Sequence, residues 1–269
     1  MSVPGWIEQP FHWSVDHFFK HWPQPVPEIS KIEACKIISH RGERDNRTVF
    51  ENTFSAFDPI LEAGLWGIEL DIRWTRDLCP VVFHDTDGRR LFGNSHVISQ
   101  MTMPEVRQQF PVIPTLEALI LRYGKKLHLM VELKQEHYPE PEKQSDILRQ
   151  LFQNLTPAVD FHLITLHPEM FQYTTFVPRS SLLSVAEINL PALSHDALQK
   201  NYGGITGHYA LMTNRFVNRH LQAGQQVGTG FIESLNALFR EINRGVDWIF
   251  SNQALCLHQL KTRFLEERK

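Results

Sequence analysis

The sequence predicts an α/β protein, a (β/α)8 TIM barrel with a β-hairpin over the barrel mouth after the second strand. Nine segments have the length and apolar character of strands, and helical patterns or long connections separate most of them. The third segment, 80–83, returns after a short turn and must therefore pair antiparallel, because a parallel crossover needs a dozen or more residues. Eight strands remain, which is the number that closes such a barrel. A doubly wound sheet is the alternative, but no glycine-rich phosphate loop follows any strand.

The individual elements follow from periodicity and from their stop signals. The predicted strands are 36–39, 67–74, 80–83, 127–133, 161–166, 181–185, 204–209, 226–229 and 247–251. The predicted helices are 53–63, 114–123, 144–155, 168–176, 192–200, 214–223, 234–244 and 253–264. Asn52 or Thr53 would cap the first helix, Pro114 would begin the second, and Gly124 would end it. Residues 86–112 could hold a small cap but hardly a large inserted domain.

Composition sets the class of protein. The chain has 269 residues, 42% hydrophobic and 21% charged, and roughly 250 residues commonly form one α/β barrel, so residues 35–269 are predicted to be a single domain. A net charge of −3 gives no reason to expect a nucleic acid partner. Three scattered cysteines, Cys35, Cys79 and Cys256, argue against a disulfide framework. Without a signal-peptide pattern or a transmembrane segment, a cytoplasmic location is expected. Nothing in the composition indicates an oligomeric state.

Residues 1–34 are rich in aromatic residues and proline. They are predicted to form an N-terminal extension that packs on the barrel. The alternative is a surface segment that contacts lipid or a partner. That alternative is weakened by the single Lys20, because helices that lie on membranes usually have a basic polar face.

Two acids on the second predicted strand point to a cation site. Glu69 and Asp71 are two residues apart, so their side chains lie on the same side of the strand. Like charges at this spacing repel unless a cation lies between them, and a divalent metal is the simplest candidate. If Thr75 faces Pro80 across the turn, Asp71 lies opposite His84 on the returning strand. A slip of one residue would turn His84 to the other face.

Further polar residues converge on the same end of the barrel. Chemistry in (β/α)8 barrels takes place at the C-terminal ends of the strands. Polar residues at or just after the predicted strand ends include Ser39, His40, Arg41, Glu69, Asp71, His84, Asp85, Glu132, Lys134, Thr165, His167, His208, Thr229, Ser251 and Asn252. Because buried acids without a counter-charge are costly, Glu69, Asp71 and Glu132 are predicted to share one divalent cation.

An ordered set of motifs carries a family resemblance. The chain contains His40-Arg41-Gly42, Glu51-Asn52-Thr53, Glu69-x-Asp71, Thr75-x-Asp77-x-x-Pro80-Val81-x-x-His84-Asp85, Ile113-Pro114-Thr115-Leu116-Glu117 and Glu132-x-Lys134. Together these motifs resemble the glycerophosphodiester phosphodiesterase family, closely over residues 37–134 and loosely to the end of the chain.

The resemblance implies a (β/α)8 barrel that hydrolyses a glycerophosphodiester to glycerol 3-phosphate and an alcohol, in glycerol and lipid metabolism, with Mg²⁺ or Ca²⁺. It implies roles for the matching residues: metal binding for Glu69, Asp71 and Glu132; acid–base catalysis for His40 and His84; and substrate binding for Arg41, Lys134 and Glu51. The chemistry agrees, because a guanidinium can fork onto phosphate oxygens and a histidine can exchange protons near neutral pH. Which histidine is acid and which is base stays open, as does attack by the substrate's own hydroxyl through a cyclic phosphate.

The chain also departs from the family pattern. Phe50 replaces a usual proline, where it should alter only a turn; residues 227–231 replace a Trp-Thr-Val-Asn strand end; and Ser251-Asn252 replaces Thr-Asp. The late departures put the alcohol or glycerol pocket in doubt, and two alternatives stay open. One is a lysophospholipase D-type activity on lysophospholipids, which the aromatic N-terminal segment motivates. The other is a barrel with weak or lost activity that serves as a binding module.

Overall fold

The computed structural model describes residues 19–268. The first part of the predicted N-terminal extension, with Trp6, Phe11, Trp13 and Phe18, lies outside the described residues. The strands are β1 Lys36–His40, β2 Gly67–Trp74, β3 Pro80–Val82, β4 His128–Leu133, β5 Phe161–Thr165, β6 Leu182–Ala186, β7 Gly204–His208, β8 Gln226–Gly230 and β9 Trp248–Ser251. The helices are α1 Ile29–Ala34, α2 Phe54–Glu62, α3 Arg89–Phe92, α4 Met103–Gln109, α5 Leu116–Tyr123, α6 Pro141–Phe152, α7 Leu190–Gln199, α8 Asn214–Gln222, α9 Leu235–Asn243 and α10 Ala254–Glu266.

Eight of these strands close into a parallel barrel. The sheet runs β1-β9-β8-β7-β6-β5-β4-β2, and β1 pairs with β2 to close the ring. All eight pairings around the ring are parallel. The predicted (β/α)8 barrel is confirmed. We call the C-terminal ends of these strands the mouth of the barrel.

The remaining strand, β3, is not part of the ring. It forms the predicted antiparallel hairpin with β2, but in a different register. Ile72 pairs with Val82, and the Phe83 amide donates to the Asp71 carbonyl at 2.9 Å. The predicted pairing of Asp71 with His84 is therefore wrong by one residue. Ile72 pairs with β4 on one edge of β2, so β3 must lie on the other edge. That is the edge along which the first residues of β2 pair with β1. The placement of the hairpin across the mouth stays a prediction.

The hairpin turn explains the shifted register. The Thr75 amide donates to the Cys79 carbonyl at 3.1 Å, and the Thr75 hydroxyl donates to the Asp77 carboxylate at 2.6 Å. Thr75 therefore faces Cys79 rather than Pro80, and the loop has three residues, 76–78. Leu78 adopts a left-handed φ of 60°, as the last position of a three-residue hairpin loop commonly does.

Residues 86–112 form the small cap that the sequence allowed. It holds α3, a 3-10 turn at Ile98–Gln100 and α4. Its own apolar cluster joins it to β3 through Val81, Phe83, Ile98, Met101, Val106, Phe110 and Ile113. The cap is thus packed on the hairpin beside the mouth.

Three predicted helices differ from those observed. The helix predicted over 144–155 lies three residues earlier, at Pro141–Phe152. Helix α5 begins at Leu116, because the Thr115 hydroxyl accepts the Ala118 amide and caps it. Pro114 instead accepts the Val82 amide with its carbonyl and so belongs to the hairpin connection. The segment predicted as a helix over 168–176 is a 3-10 helix, Pro168–Tyr173.

The described part of the N-terminal segment packs on the barrel. Ile32 of α1 is fully buried in the main core. Asn236 and Asn243 of α9 donate to the backbone carbonyls of Lys20 at 2.9 Å and Pro25 at 2.7 Å. These contacts support the division into an extension, 1–34, and a barrel domain, 35–269, which stays our proposal. Within residues 19–268 no helix combines the length and apolarity needed to cross a bilayer.

Two buried histidines pair at the end of the barrel opposite the mouth. The His128 Nδ1 donates to the Val159 carbonyl at 2.8 Å, so its Nε2 accepts from the His162 Nδ1 at 2.8 Å. Burial lowers the pKa of His128 to about 4. Burial and the neighbouring His128 lower the pKa of His162 to about 3. Both rings are therefore neutral at pH 7.

This pair predicts a loss of stability in mild acid. The folded pKa values lie below the ordinary value of 6.5, so the unfolded chain binds protons that the folded chain does not. The contribution of this pair to the free energy of unfolding is then highest above pH 6.5. It should fall towards pH 4 by up to about 1.4 kcal/mol per pH unit for each histidine. Urea unfolding at pH 7, 6 and 5 should show a shallower decline in His162→Gln than in the unsubstituted protein. Parallel declines in the two proteins would contradict this account.

Candidate active site

Three carboxylates meet at the mouth. Glu69 and Asp71 project from β2 on one side, and β2 pairs with β4 so that Asp71 lies directly beside Glu132. One oxygen from each carboxylate lies within 4.8 Å of the others, and all three residues are buried. The alternation along β2 and the parallel register with β4 therefore bring the three predicted acids together.

Two basic side chains neutralise part of the negative charge of these carboxylates, and an amide donates a hydrogen bond to one of them. The Lys134 Nζ lies 2.7 Å from the Asp71 Oδ1 and 2.6 Å from the Glu132 Oε1. The Arg41 Nε lies 3.1 Å from the Asp71 Oδ2, to which the Asn52 amide also donates at 2.7 Å. Burial alone would raise the pKa of Asp71, but Arg41 and Lys134 hold it well below its usual range. Asp71 is thus a stable anion at neutral pH.

Glu69 is in the opposite situation. Its two carboxylate oxygens are buried and neither has a hydrogen-bond partner. Burial, together with the charge of Asp71, raises the pKa of Glu69 well above its usual range. A buried carboxylate without partners is costly, and a divalent cation among these hard oxygen ligands would remove that cost. The residues present therefore fit a divalent metal ion.

His40 stands beside this acid trio, by which we mean Glu69, Asp71 and Glu132. Its Nε2 lies 3.6 Å from the Glu69 Oε2, and its Nδ1 lies 2.8 Å from the Asn252 Oδ1. Burial and the adjacent guanidinium groups of Arg41 and Arg44 lower the pKa of His40 well below its usual value. The structure thus places a neutral imidazole at the trio.

His84 reaches the same region from the hairpin. Its Nδ1 lies 2.7 Å from the Asp85 Oδ1, and its backbone carbonyl accepts from the Arg73 Nε at 2.9 Å. His84 lies near enough to Asp71 for its charge to lower the pKa of that carboxyl group. Because β3 ends at Val82, strand alternation does not fix the side to which His84 points, and its catalytic place beside the trio stays a prediction.

Glu51, predicted to bind substrate, is surrounded by basic side chains. It pairs with Arg41 at 3.2 Å and with Arg44 at 3.4 Å, and it also pairs with Arg90. Burial raises its pKa, but the hydrogen bond from Arg90 and the charge of Arg41 lower it to about 2. The carboxylate orients these guanidinium groups in this structure, and its contact with substrate stays a prediction.

Several residues of the site were not identified from the sequence. Asn52 binds Asp71 instead of capping α2, a task that Thr53 performs. Arg90 of the cap donates to Asp85 at 2.7 Å and also to Glu51, so it ties the cap to the mouth. Arginines separated in sequence from their partners carry no local signal. Asn52 has a left-handed φ of 60°, a backbone conformation in which asparagine is enriched but which becomes visible only in the structure.

The departures from the family pattern also have structural counterparts. The Phe50 ring lies 5.0 Å from Phe92 of the cap, so it does more than alter a turn. Phe231, in the departing segment after β8, packs edge-on against His40 with ring centroids 4.8 Å apart. Both aromatic rings thus border the site.

Some strand-end residues stay outside this group. Thr165 donates to the Leu133 carbonyl at 2.7 Å, and the Ser251 hydroxyl accepts the Gln253 amide at 3.1 Å. The His167 side chain is 45% exposed beside Glu169. These side chains have structural or surface roles.

Fold and site together define a (β/α)8-barrel protein with a candidate divalent-metal centre at the barrel mouth. The family model described as glycerophosphoryl diester phosphodiesterase matches residues 40–229. The chain belongs to this family. The match begins at His40 and includes all three members of the acid trio.

Individual relatives agree with this assignment. A glycerophosphodiester phosphodiesterase of Bacillus altitudinis is 26% identical over 238 residues, 81% of this chain and 94% of that protein. One from Caldanaerobacter subterraneus subsp. tengcongensis is 38% identical over 72 residues, 27% of this chain and 29% of the relative. In two alignments with identities of 37% and 38%, the chain spans 44% and 29% of the relative's length. An Oleispira antarctica phosphodiesterase, solved with the product sn-glycerol-3-phosphate, shares the fold with a TM-score of 0.70 and 19% identity, over 85% of this chain and 96% of that one.

Proposed function

We propose that this protein is a phosphoric diester hydrolase that uses a divalent metal, Mg²⁺ or Ca²⁺, to convert glycerophosphodiesters to glycerol 3-phosphate and an alcohol. The observation that carries the proposal is the buried Glu69 carboxylate. It has no hydrogen-bond partner and lies close to the other two acids and to His40. Membership of the family supports the substrate class.

The two basic residues of the site would bind the phosphodiester. Arg41 offers a planar fork suited to phosphate oxygens, and Lys134 offers a compact positive charge. In this structure both are paired with Asp71, so they are held at the mouth before substrate arrives. A divalent cation held by the acid trio would polarise the phosphoryl group and neutralise its developing charge.

The two histidines would move the protons. His40 is neutral and has its Nε2 towards the trio, so we assign it the removal of a proton from the attacking group, which is either water or the substrate's own hydroxyl with water then opening the cyclic phosphate. His84 has the Asp85 carboxylate at its Nδ1, which would orient the ring, so we assign it the donation of a proton to the leaving alkoxide. The cytoplasmic location stays a prediction of the sequence.

A lysophospholipid substrate is the second candidate. Phe19 of the N-terminal segment lies 5.5 Å from Tyr209, the residue that follows β7 at the mouth end of the barrel. An aromatic residue held at the mouth end of the barrel is suited to contact the acyl chain of a lysophospholipid. The two candidates share the same chemistry and differ in whether the glycerol phosphate that remains carries an acyl chain.

A substrate panel tests both candidates. Purified protein should release glycerol 3-phosphate from glycerophosphocholine or glycerophosphoethanolamine in the presence of Mg²⁺ or Ca²⁺, and chelation with EDTA should stop the reaction. Lysophosphatidylcholine should give choline and lysophosphatidic acid if the second candidate holds. Phe19→Ala removes the ring beside Tyr209, keeps the buried Ile32 in place and should then lower only the activity on the lipid. The absence of metal-dependent turnover on every substrate would overturn the proposed function.

A further inference from the structure

One side-chain oxygen of Asn252, the residue after β9, contacts both the last residue of β1 and the loop that follows it. The Asn252 Oδ1 lies 2.8 Å from the Nδ1 of His40 and 2.7 Å from the Nη2 of Arg44. Asn252 is one of the residues at which the chain departs from its family's usual Thr-Asp. The amide therefore occupies the position beside the imidazole of the candidate active site.

Arg44 is itself held from several directions. Its Nη1 donates to the Gly42 carbonyl at 2.9 Å and also to the His40 carbonyl. Its Nε lies 3.4 Å from the Glu51 Oε2. The Arg44 side chain is 14% exposed, so its guanidinium is fixed by the loop that follows β1.

These contacts determine the state of the His40 ring. Arginine has no acceptor, so the Asn252 atom that lies 2.7 Å from the guanidinium must be the amide oxygen. An oxygen can only accept, so the His40 Nδ1 at 2.8 Å must carry a hydrogen. In the neutral ring the lone pair is then on Nε2, the nitrogen that lies 3.6 Å from Glu69.

We propose that Arg44 and Asn252 act as a positioning pair: Arg44 fixes the orientation of the Asn252 amide, and the amide fixes the tautomer and the direction of the His40 ring. The catalytic consequence rests on the proposed function, since only a proton-accepting Nε2 at the mouth makes the tautomer useful. A partner that sets which ring nitrogen accepts protons is a general feature of catalytic and metal-binding histidines.

A purely structural role for the pair is the competing explanation. The neighbouring residue provides a matched control, because the Glu43 Oε1 accepts the Leu255 amide at 2.9 Å. That contact also ties the β1 loop to the segment after β9. Glu43→Gln therefore perturbs the same connection without altering the partner of the His40 ring.

The test combines kinetics with nitrogen NMR of the histidine ring in the unliganded protein. Asn252→Leu removes the acceptor, so a measurable fraction of His40 should carry its hydrogen on Nε2, and kcat should fall about 10–100-fold with KM changed less than about threefold. Asn252→Asp keeps an acceptor for both donors, so the Nδ1–H tautomer should persist and kcat should stay within about tenfold of the unsubstituted protein. Glu43→Gln should leave both readouts unchanged.

Arg44→Lys serves if Asn252→Leu does not fold. A lysine ammonium cannot reproduce the planar set of donors by which the Arg44 guanidinium contacts the loop carbonyls and the Asn252 amide. The Asn252 amide should then lose its fixed orientation, and the His40 ring should show both tautomers. An unchanged tautomer and unchanged kcat in the folded Asn252→Leu or Arg44→Lys variant would overturn the proposal. A protein that turns over no glycerophosphodiester would instead refute the proposed function, and the NMR measurement would still decide the role of the pair.

Discussion

Glu69→Gln is expected to lower the metal-dependent turnover of glycerophosphocholine on the order of 10³-fold, because a metal ion contributes several kcal/mol to stabilising a phosphoryl transition state. The substitution keeps the size of the side chain and removes the carboxylate that lacks any partner in the protein. Calorimetric titration with Mg²⁺ or Ca²⁺ should show a corresponding loss of affinity. Initial rates measured at saturating metal would report the residual activity.

The same substitution should not destabilise the metal-free protein. It removes a buried charge that repels Asp71 and Glu132, so the free energy of unfolding without metal should be unchanged or higher. Glu142→Gln, on the exposed first turn of α6, is a matched control that should keep both activity and metal affinity. Full metal affinity in Glu69→Gln would exclude Glu69 as a ligand.

His84→Ala and His40→Ala are each expected to lower kcat on the order of 10²–10⁴-fold, the usual contribution of a general acid or base. The metal affinity of both variants should be kept, since neither ring belongs to the acid trio. Rates of glycerol 3-phosphate release and calorimetric metal titration of the same samples separate the two effects.

The exposed His167 provides the control for these histidine variants. It follows β5 at the mouth end, but its side chain is 45% exposed and pairs with Glu169, so His167→Ala should keep full activity. A loss of metal affinity in His84→Ala would make His84 a ligand or a support for one, and the assigned role in proton transfer would be wrong.

The parts of the site that the sequence predicted depend on strand geometry alone. Alternation along β2 places Glu69 and Asp71 on one side, and a parallel strand of similar length places Glu132 beside them. Both conclusions need only the period of the strand and the order of the elements. The barrel itself followed from the count of strands and from the short connection before β3.

Side-chain hydrogen bonds within turns explain the errors. The hairpin register depends on the Thr75 hydroxyl and the left-handed Leu78, which together shorten the loop to three residues. The sequence allowed α5 to begin at Pro114 or after Thr115. In the structure the Thr115 hydroxyl caps the helix, which therefore begins at Leu116. Neither choice is determined by hydrophobic periodicity.

Contacts across the chain explain what was missed. His40 and Asn252 are 212 positions apart, and the barrel closure between β1 and β9 is what brings them together. Arg90 reaches Glu51 only because the cap folds back against the mouth. Such partners become predictable only after the strand order and the position of the cap are known.

The most direct test of the candidate metal centre is a crystal structure of the protein grown with Mn²⁺ and sn-glycerol 3-phosphate, using the anomalous signal of manganese in place of Mg²⁺. We expect one strong anomalous peak within bonding distance of carboxylate oxygens from Glu69, Asp71 and Glu132, with the phosphate contacting Arg41 and Lys134. A manganese peak elsewhere in the protein, with these three carboxylates free of metal, would contradict it.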